Sequence, residues 1–466
     1  MKIRNTFFIL ALLIFLFSIQ ANAQYNWQTL TNAPQSWRLD DFYFLNPSQG
    51  WAISPYYNYL SPTKQGQIWG TSDGGATWQK LKDNSHTFYR SIGFADANNG
   101  WVGNLADTSK NAYSGVPYTT DTIPLYHTSD GGLTWLPVMN LPSPRPKGIC
   151  GISVVTDSII YAYGRFFGPA VLLKTIDKGA TWMSQSLGAY ASGLIDAKFF
   201  DKDTGFVTAS SITKKAMLLS TFDGGASWQI RYQSTRADTE GVWKIVFPSR
   251  QIGYASIENW NISANPHQNH FLKTTDGGMT WTEMPFVSPY DLQGIGFIND
   301  SVGWIGGDFE SRTYKTTDGG ITWAKDYGFG TTTPPYNSPG FACFSINRFR
   351  RFGDTLMYAS GNTVYKLQTG ANTGINILTK PLVIMSNFPN PFKYQTTLSY
   401  SLTAESSSVE IIIYNLLGEP VLYRNIESQL AGDHETILNL DVPEGIYYCT
   451  ISSGLQKMTK KIAVCK

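Results

Sequence analysis

One octapeptide recurs six times along this chain and restricts its fold more than any other feature. It reads TSDGGATW at Thr71–Trp78, TSDGGLTW at Thr128–Trp135 and TIDKGATW at Thr175–Trp182. It returns as TFDGGASW at Thr221–Trp228, TTDGGMTW at Thr274–Trp281 and TTDGGITW at Thr316–Trp323. Its aspartates, Asp73, Asp130, Asp177, Asp223, Asp276 and Asp318, lie 57, 47, 46, 53 and 42 residues apart. Periods of this length fit the four-stranded blades of a propeller. The motif also has a local logic. The Asp carboxylate can accept hydrogen bonds from N–H groups of its own turn, and glycines supply positive φ without steric cost. The Thr or Ser hydroxyl adds a further bond. The tryptophans Trp78, Trp135, Trp182, Trp228, Trp281 and Trp323 then open a strand and bury a large ring against the neighbouring sheet.

A second pattern precedes each corner. Ile92-Gly93-Phe94 with Gly100-Trp101-Val102 recurs as Ile295-Gly296-Phe297 with Gly303-Trp304-Ile305. Weaker copies are Phe200 with Gly205-Phe206 and Phe247 with Gly253-Tyr254. Each unit thus holds four short antiparallel strands. The two ends of the array are incomplete in complementary ways. Thr363-Val364-Tyr365-Lys366 matches Arg312-Thr313-Tyr314-Lys315 but lacks a Trp strand, whereas Asn26-Trp27-Gln28 matches Thr77-Trp78-Gln79 but lacks a corner. The pattern predicts an all-β chain: a seven-bladed β-propeller over 24–370, its last blade completed by the N-terminal strand so that no sheet edge is left open.

The 466 residues allow two or three domains. With 36 basic and 34 acidic residues and no charge block, neither a nucleic-acid footprint nor a polybasic membrane patch is present. Lys2 and Arg4, the apolar run Phe7–Phe17 and Ala21-Asn22-Ala23 read as a signal peptide over 1–23, leaving no transmembrane segment after cleavage. Cys150, Cys343, Cys449 and Cys465 have no metal-type spacing. A Cys449–Cys465 bridge is not expected, because a turn near Ser453-Gly454 pairs Cys449 with a residue near 460.

The octapeptides resemble Asp-box (BNR) repeats, and together with the Gly-Trp pattern they are similar to the photosystem II stability/assembly factor-like propellers. Asp boxes also occur in sialidases, two-propeller xyloglucanases and sortilin-type receptors. The resemblance therefore implies a fold, and a structural rather than catalytic role for the boxes.

In a four-stranded meander, first–second and third–fourth turns share one face of the disc. Those turns are short and uniform here. The other face carries the long, variable loops where binding residues usually sit. Its aromatic residues, Tyr56, Tyr57, Tyr59, Tyr113, Tyr118, Trp260, Tyr290 and Tyr336, are the ligand-binding candidates, suited to a sugar or protein surface. No catalytic residue, metal site or cofactor is assigned. His267-x-x-His270 has no acidic partner in register, and Arg348, Arg350 and Arg351 read as solvated strand-edge charge. No Ser-His-Asp or paired-carboxylate arrangement emerges. The leading expectation is a binding propeller for a protein or glycan; the alternative is a glycoside hydrolase or sialidase-like enzyme of the same fold.

After a linker at 371–381 the pattern changes. Asn387-Phe388-Pro389-Asn390-Pro391-Phe392, Ile413-Tyr414-Asn415-Leu416-Leu417-Gly418, Gly432-Asp433-His434 and Pro443-Glu444-Gly445-Ile446-Tyr447-Tyr448 punctuate about seven short strands, a small β-sandwich over 382–466. This order, with its basic end, resembles the sorting domain of type IX secretion in Bacteroidota. The resemblance implies Sec export, then passage across the outer membrane by the type IX machinery. The product is then secreted or held at the cell surface.

Overall fold

The computed structural model describes residues 25–36, 38–56, 65–110, 116–260, 268–287, 292–307, 313–326, 346–369, 383–402, 406–430, 432–453 and 456–466. Among the described residues all regular structure is strand. The chain divides into two compact units, 1–371 and 372–466.

Among its described residues the first unit holds seven four-stranded antiparallel sheets. Their innermost strands are Asp41–Phe44, Tyr89–Phe94, Ile149–Val154, Ala191–Phe199, Glu240–Val246, Leu292–Phe297 and Arg348–Phe352. Each innermost strand contacts the next, and Asp41–Phe44 contacts Arg348–Phe352, so the sheets close into a ring. Six sheets are consecutive meanders. The seventh takes its outermost strand from the other end of the unit: Tyr25–Thr29 pairs with Val364–Thr369, Trp27 opposite Leu367. That pairing fills the N–H and C=O row that an edge would otherwise leave open.

Neighbouring sheets lock through aromatic stacks. Phe44 lies on Tyr358 (3.9 Å between centroids), Phe94 on Trp51 (3.5 Å), Phe199 on Tyr161 (3.6 Å) and Phe297 on Tyr254 (3.6 Å). In each pair one ring ends an innermost strand and the other comes from the second strand of the preceding sheet. Such contacts contribute about 0.5–1.5 kcal/mol beyond area burial. The glycine that opens five of the seven second strands is part of the device. A Cβ on Gly50, Gly100 or Gly303 would stand 2.5–2.6 Å from Phe44, Phe94 or Phe297, so a side chain there would displace the stacked ring.

The corners behave as the local chemistry requires. In the first, Asp73 accepts from Thr77 N at 2.9 Å and Thr77 Oγ1 at 2.6 Å, while Thr71 Oγ1 accepts from Gly75 N at 2.9 Å. The same set recurs around Asp130, Asp177, Asp223, Asp276 and Asp318. Gly74 and Gly75 take φ of +71° and +90°. The third corner differs: Lys178 stands at the first glycine position and adopts φ +60°. Trp135 buries its ring between Phe94 of its own sheet and Trp51 of the preceding one.

The second unit is a sandwich of a three-stranded sheet (Val383–Phe388, Gln395–Leu402, Gly432–Asn439) and a four-stranded one. The latter runs Pro420–Gln429, Ser406–Tyr414, Gly445–Ser453, Gln456–Val464. Leu398, Tyr400, Val409, Ile411, Ile413, Leu438, Ile451 and Ile462 fill the space between them. Cys449 is buried and free opposite Lys460, and Cys465 is exposed and free, so no bridge joins them. Cys150 is a buried free thiol, and Cys343 lies outside the described residues.

Candidate ligand-binding site

The turns identify the two faces of the ring. Each corner hydrogen-bonds to the first–second turn of its own sheet: Gly74 N to Ser48 O at 2.6 Å, Gly224 N to Asp203 O at 2.8 Å, Gly277 N to Gln251 O at 2.8 Å. The innermost strands therefore run along the ring axis with their C-terminal ends at the Asp-box face. A cavity of about 290 Å³ sits at that end of the axis. Its lining includes Tyr43, Lys198, Phe247, Arg348, Arg350 and Arg351, with Asp41, Tyr163 and Asp196.

The base of this cavity is a buried ion network. Arg348 donates through Nη1 and Nη2 to both Asp196 oxygens at 3.0 Å, and through Nε to Asp41 Oδ1 at 3.1 Å. Tyr163 OH donates to Asp196 Oδ1 at 3.0 Å and Ile245 N to Oδ2 at 3.2 Å. Burial pushes the Asp196 carboxyl up, but Arg348 and Lys244 outweigh it and hold the group below the usual carboxylate range. Lys244 is itself buried, and no hydrogen bond or ion pair holds its ammonium among the described residues. Burial, then repulsion from Arg348, lowers it to about 7. Deeper along the axis, Arg38 and Arg90 converge on Asp40 at 2.8 and 3.1 Å.

Arg348 is thus no solvated edge charge. Arg348–Phe352 is an innermost strand, and its period-two alternation aims Arg348 and Arg350 at the axis while Phe349 packs against Trp27. Arg350 stacks over Tyr43 at 3.8 Å. Arg351 ties two turns together, donating to Ile298 O at 2.9 Å and Pro248 O at 2.6 Å. Lys198 faces the same space, and burial followed by repulsion from Arg350 and Arg351 lowers its pKa. Among the described residues, Lys198 and Arg350 form no ion pair with a carboxylate, so positive charge outweighs negative at the cavity mouth.

The long-loop candidates are distributed differently. Trp260 is half-buried, with its ring 6.5 Å from Phe166, which in turn lies 5.7 Å from Trp243. Phe167 is exposed beside them under the Arg165 guanidinium. Tyr118 is half-buried in its own loop, its N–H donating to Ser109 O at 2.9 Å. Tyr56 ends a strand, and Tyr57, Tyr59, Tyr113, Tyr290 and Tyr336 lie outside the described residues. His270 does have an acidic neighbour, Glu283 at 3.5 Å, which also binds Arg236 and Tyr232. His267 lies outside the described residues, and among those described no three His, Cys, Asp or Glu side chains form a metal-sized group.

Comparison with known structures places the first unit in a class. YCF48 bound to D1 peptide superposes with a TM-score of 0.51 at 14% identity, covering 75% of this chain and 97% of that one. YCF48 from Cyanidioschyzon merolae gives 0.50 at 15%, covering 74% and 98%. The fold is a β-propeller. Residues 386–465 match the secretion system C-terminal sorting domain family, so the second unit is a type IX sorting domain, which implies export to the cell surface or beyond. A xyloglucanase from a Paenibacillus species is 27% identical over 288 residues, 54% of this chain and 24% of its own. The chain therefore spans about a quarter of that relative's length. Among the described residues no helix is long and apolar enough to cross a membrane.

Proposed function

We propose that this chain is a secreted or surface-held β-propeller that acts by binding an anionic group of an extracellular protein or glycan in the axial cavity. Sec exports it first and the type IX machinery second. The observation that carries the reading is the pair Lys198 and Arg350, two cations that face one cavity and, among the described residues, form no ion pair with a carboxylate. A guanidinium held flat on a tyrosine offers its N–H edge to a carboxylate or sulfate, and the confined site strengthens that bond. The peptide held by YCF48 and the glucan named for the Paenibacillus relative indicate the kinds of ligand this fold accommodates.

A second contact on the long-loop face is supported by the exposed Phe167 beside Phe166 and Trp260. Titration with polygalacturonate, heparin and an acidic peptide tests the reading. Lys198→Glu with Arg350→Glu should weaken the best of these at least tenfold, and the wild-type affinity should fall steeply with salt. Equal binding by the charge-reversed chain would refute the cavity. Turnover of a glycoside, abolished by changing one acidic residue, would favour the enzyme instead.

A further inference from the structure

The sorting unit presents an apolar face that its own fold does not consume. The outer face of a sandwich sheet is ordinarily polar, since residues there stay in water. The three-stranded sheet follows the rule only in part, since Phe388 and Ile437, flanking outward Thr397, are 82% and 51% exposed. Its outward Gln395 donates to Asn439 at 2.9 Å and Ser399 to Glu435 at 3.1 Å.

The four-stranded sheet breaks it. Val409, Ile411 and Ile413 point inward and are fully buried, so alternation turns Ile412 and Tyr414 outward. The register sets Tyr423 opposite Ile412 and Tyr448 opposite Tyr414. Tyr423 is 61% exposed and Tyr448 40%. The adjoining turn adds Leu416 and Leu417, 69% and 84% exposed. That turn is rigidly built: Asn415 Oδ1 accepts from Leu417 N and Glu419 N, each at 2.9 Å, and Gly418 takes φ +83°. Two leucines held in water on an ordered turn gain nothing for the stability of the unit.

We propose that Ile412, Tyr414, Tyr423 and Tyr448, with Leu416 and Leu417 at the rim, form the surface by which the type IX secretion machinery recognises this unit. The occupant is an apolar protein surface of that machinery. It docks here because a sorting unit must be read by its exporter, and because the turn fixed by Asn415 extends the exposed tyrosine row with Leu416 and Leu417, held ordered in water. The inference rests on the export reading above.

The test uses the full chain, expressed in a host that carries the type IX system, with protein quantified in periplasm and in the surface and medium fractions. Leu416→Asn with Leu417→Asp should lower the exported fraction at least tenfold and raise the periplasmic pool, with no change in melting temperature. Tyr423→Glu with Tyr448→Glu should do the same, and Thr397→Glu on the facing sheet should not. Wild-type export of the leucine variant would overturn the proposal, even if the tyrosine variant failed to fold. So would a leucine variant that changes only from dimer to monomer while still exported, since the face would then join two copies of the chain. Deleting 372–466 separates the two levels. If the truncated chain is exported, the export reading fails; if it is trapped while the leucine variant passes, only the face is wrong.

Discussion

The Asp-box corners and the axial ends of the inner strands both depend on aspartate, in opposite ways. At the corners the carboxylate lies at the surface and binds only its own turn, in the same pattern around six aspartates. On the axis Asp40, Asp41 and Asp196 are buried and reach arginines from other sheets, and no two sheets contribute alike. A corner is local and repeatable. The axis is assembled once, by closure of the ring, and it is there that the molecule departs from its own repeat.

The largest expected effect is on the axis. Arg348→Ala leaves Asp196 buried without its bidentate partner, a loss of about 3–5 kcal/mol for a broken buried pair. Denaturant unfolding of the full chain, followed by tryptophan fluorescence, measures it. A variant as stable as wild type would mean that water reaches the network and that the contrast with the corners is false.

The corners should respond less. Asp276→Ala removes acceptors from Thr280 N and Thr280 Oγ1 at an exposed turn, a loss of about 1 kcal/mol. The hydroxyl and backbone bonds of residue 280 lower the Asp276 carboxyl to about 2. Because the folded value lies below the unfolded one, the contribution is complete above pH 4 and disappears as pH falls to 2. Melting curves of wild type and variant should therefore converge between those values. A gap that persists at pH 2 would show that the bonds do not depend on the charge.

The smallest effect sharpens the comparison within the corners themselves. Lys178 holds a left-handed φ where Gly74, Gly131, Gly224, Gly277 and Gly319 stand elsewhere. Lys178→Gly should stabilise the chain by about 0.5–1 kcal/mol, less whatever the exposed ion pair with Asp157 contributes. A drop in melting temperature would assign that ion pair more weight than an exposed pair normally has.

The corners were legible in the sequence because their side-chain bonds fall within eight residues: Asp73 accepts from Thr77, and Thr71 Oγ1 accepts from Gly75 N. The N-terminal strand was legible too, since Trp27 and Tyr365 each carry half of a repeated pattern. The sandwich followed from its punctuation. The cavity was not legible. Tyr43, Lys198 and Arg350 come from three sheets and meet only when the ring closes. Arg348, Arg350 and Arg351 did stand out, but their exposure depended on their strand being the innermost of its sheet, which no local pattern states.

The strand that completes the seventh sheet also has a mechanical consequence. Tyr25 lies opposite Thr369, so the start of the described chain and the exit towards the sorting unit are at the same end of one antiparallel pair. Tension between those two points would load this pair as a zipper, parting its hydrogen bonds one after another rather than all at once. The other six sheets would carry no force. The ring thus has a designated weak seam, and pulling would turn it into an open chain of intact meanders before any of them unravelled.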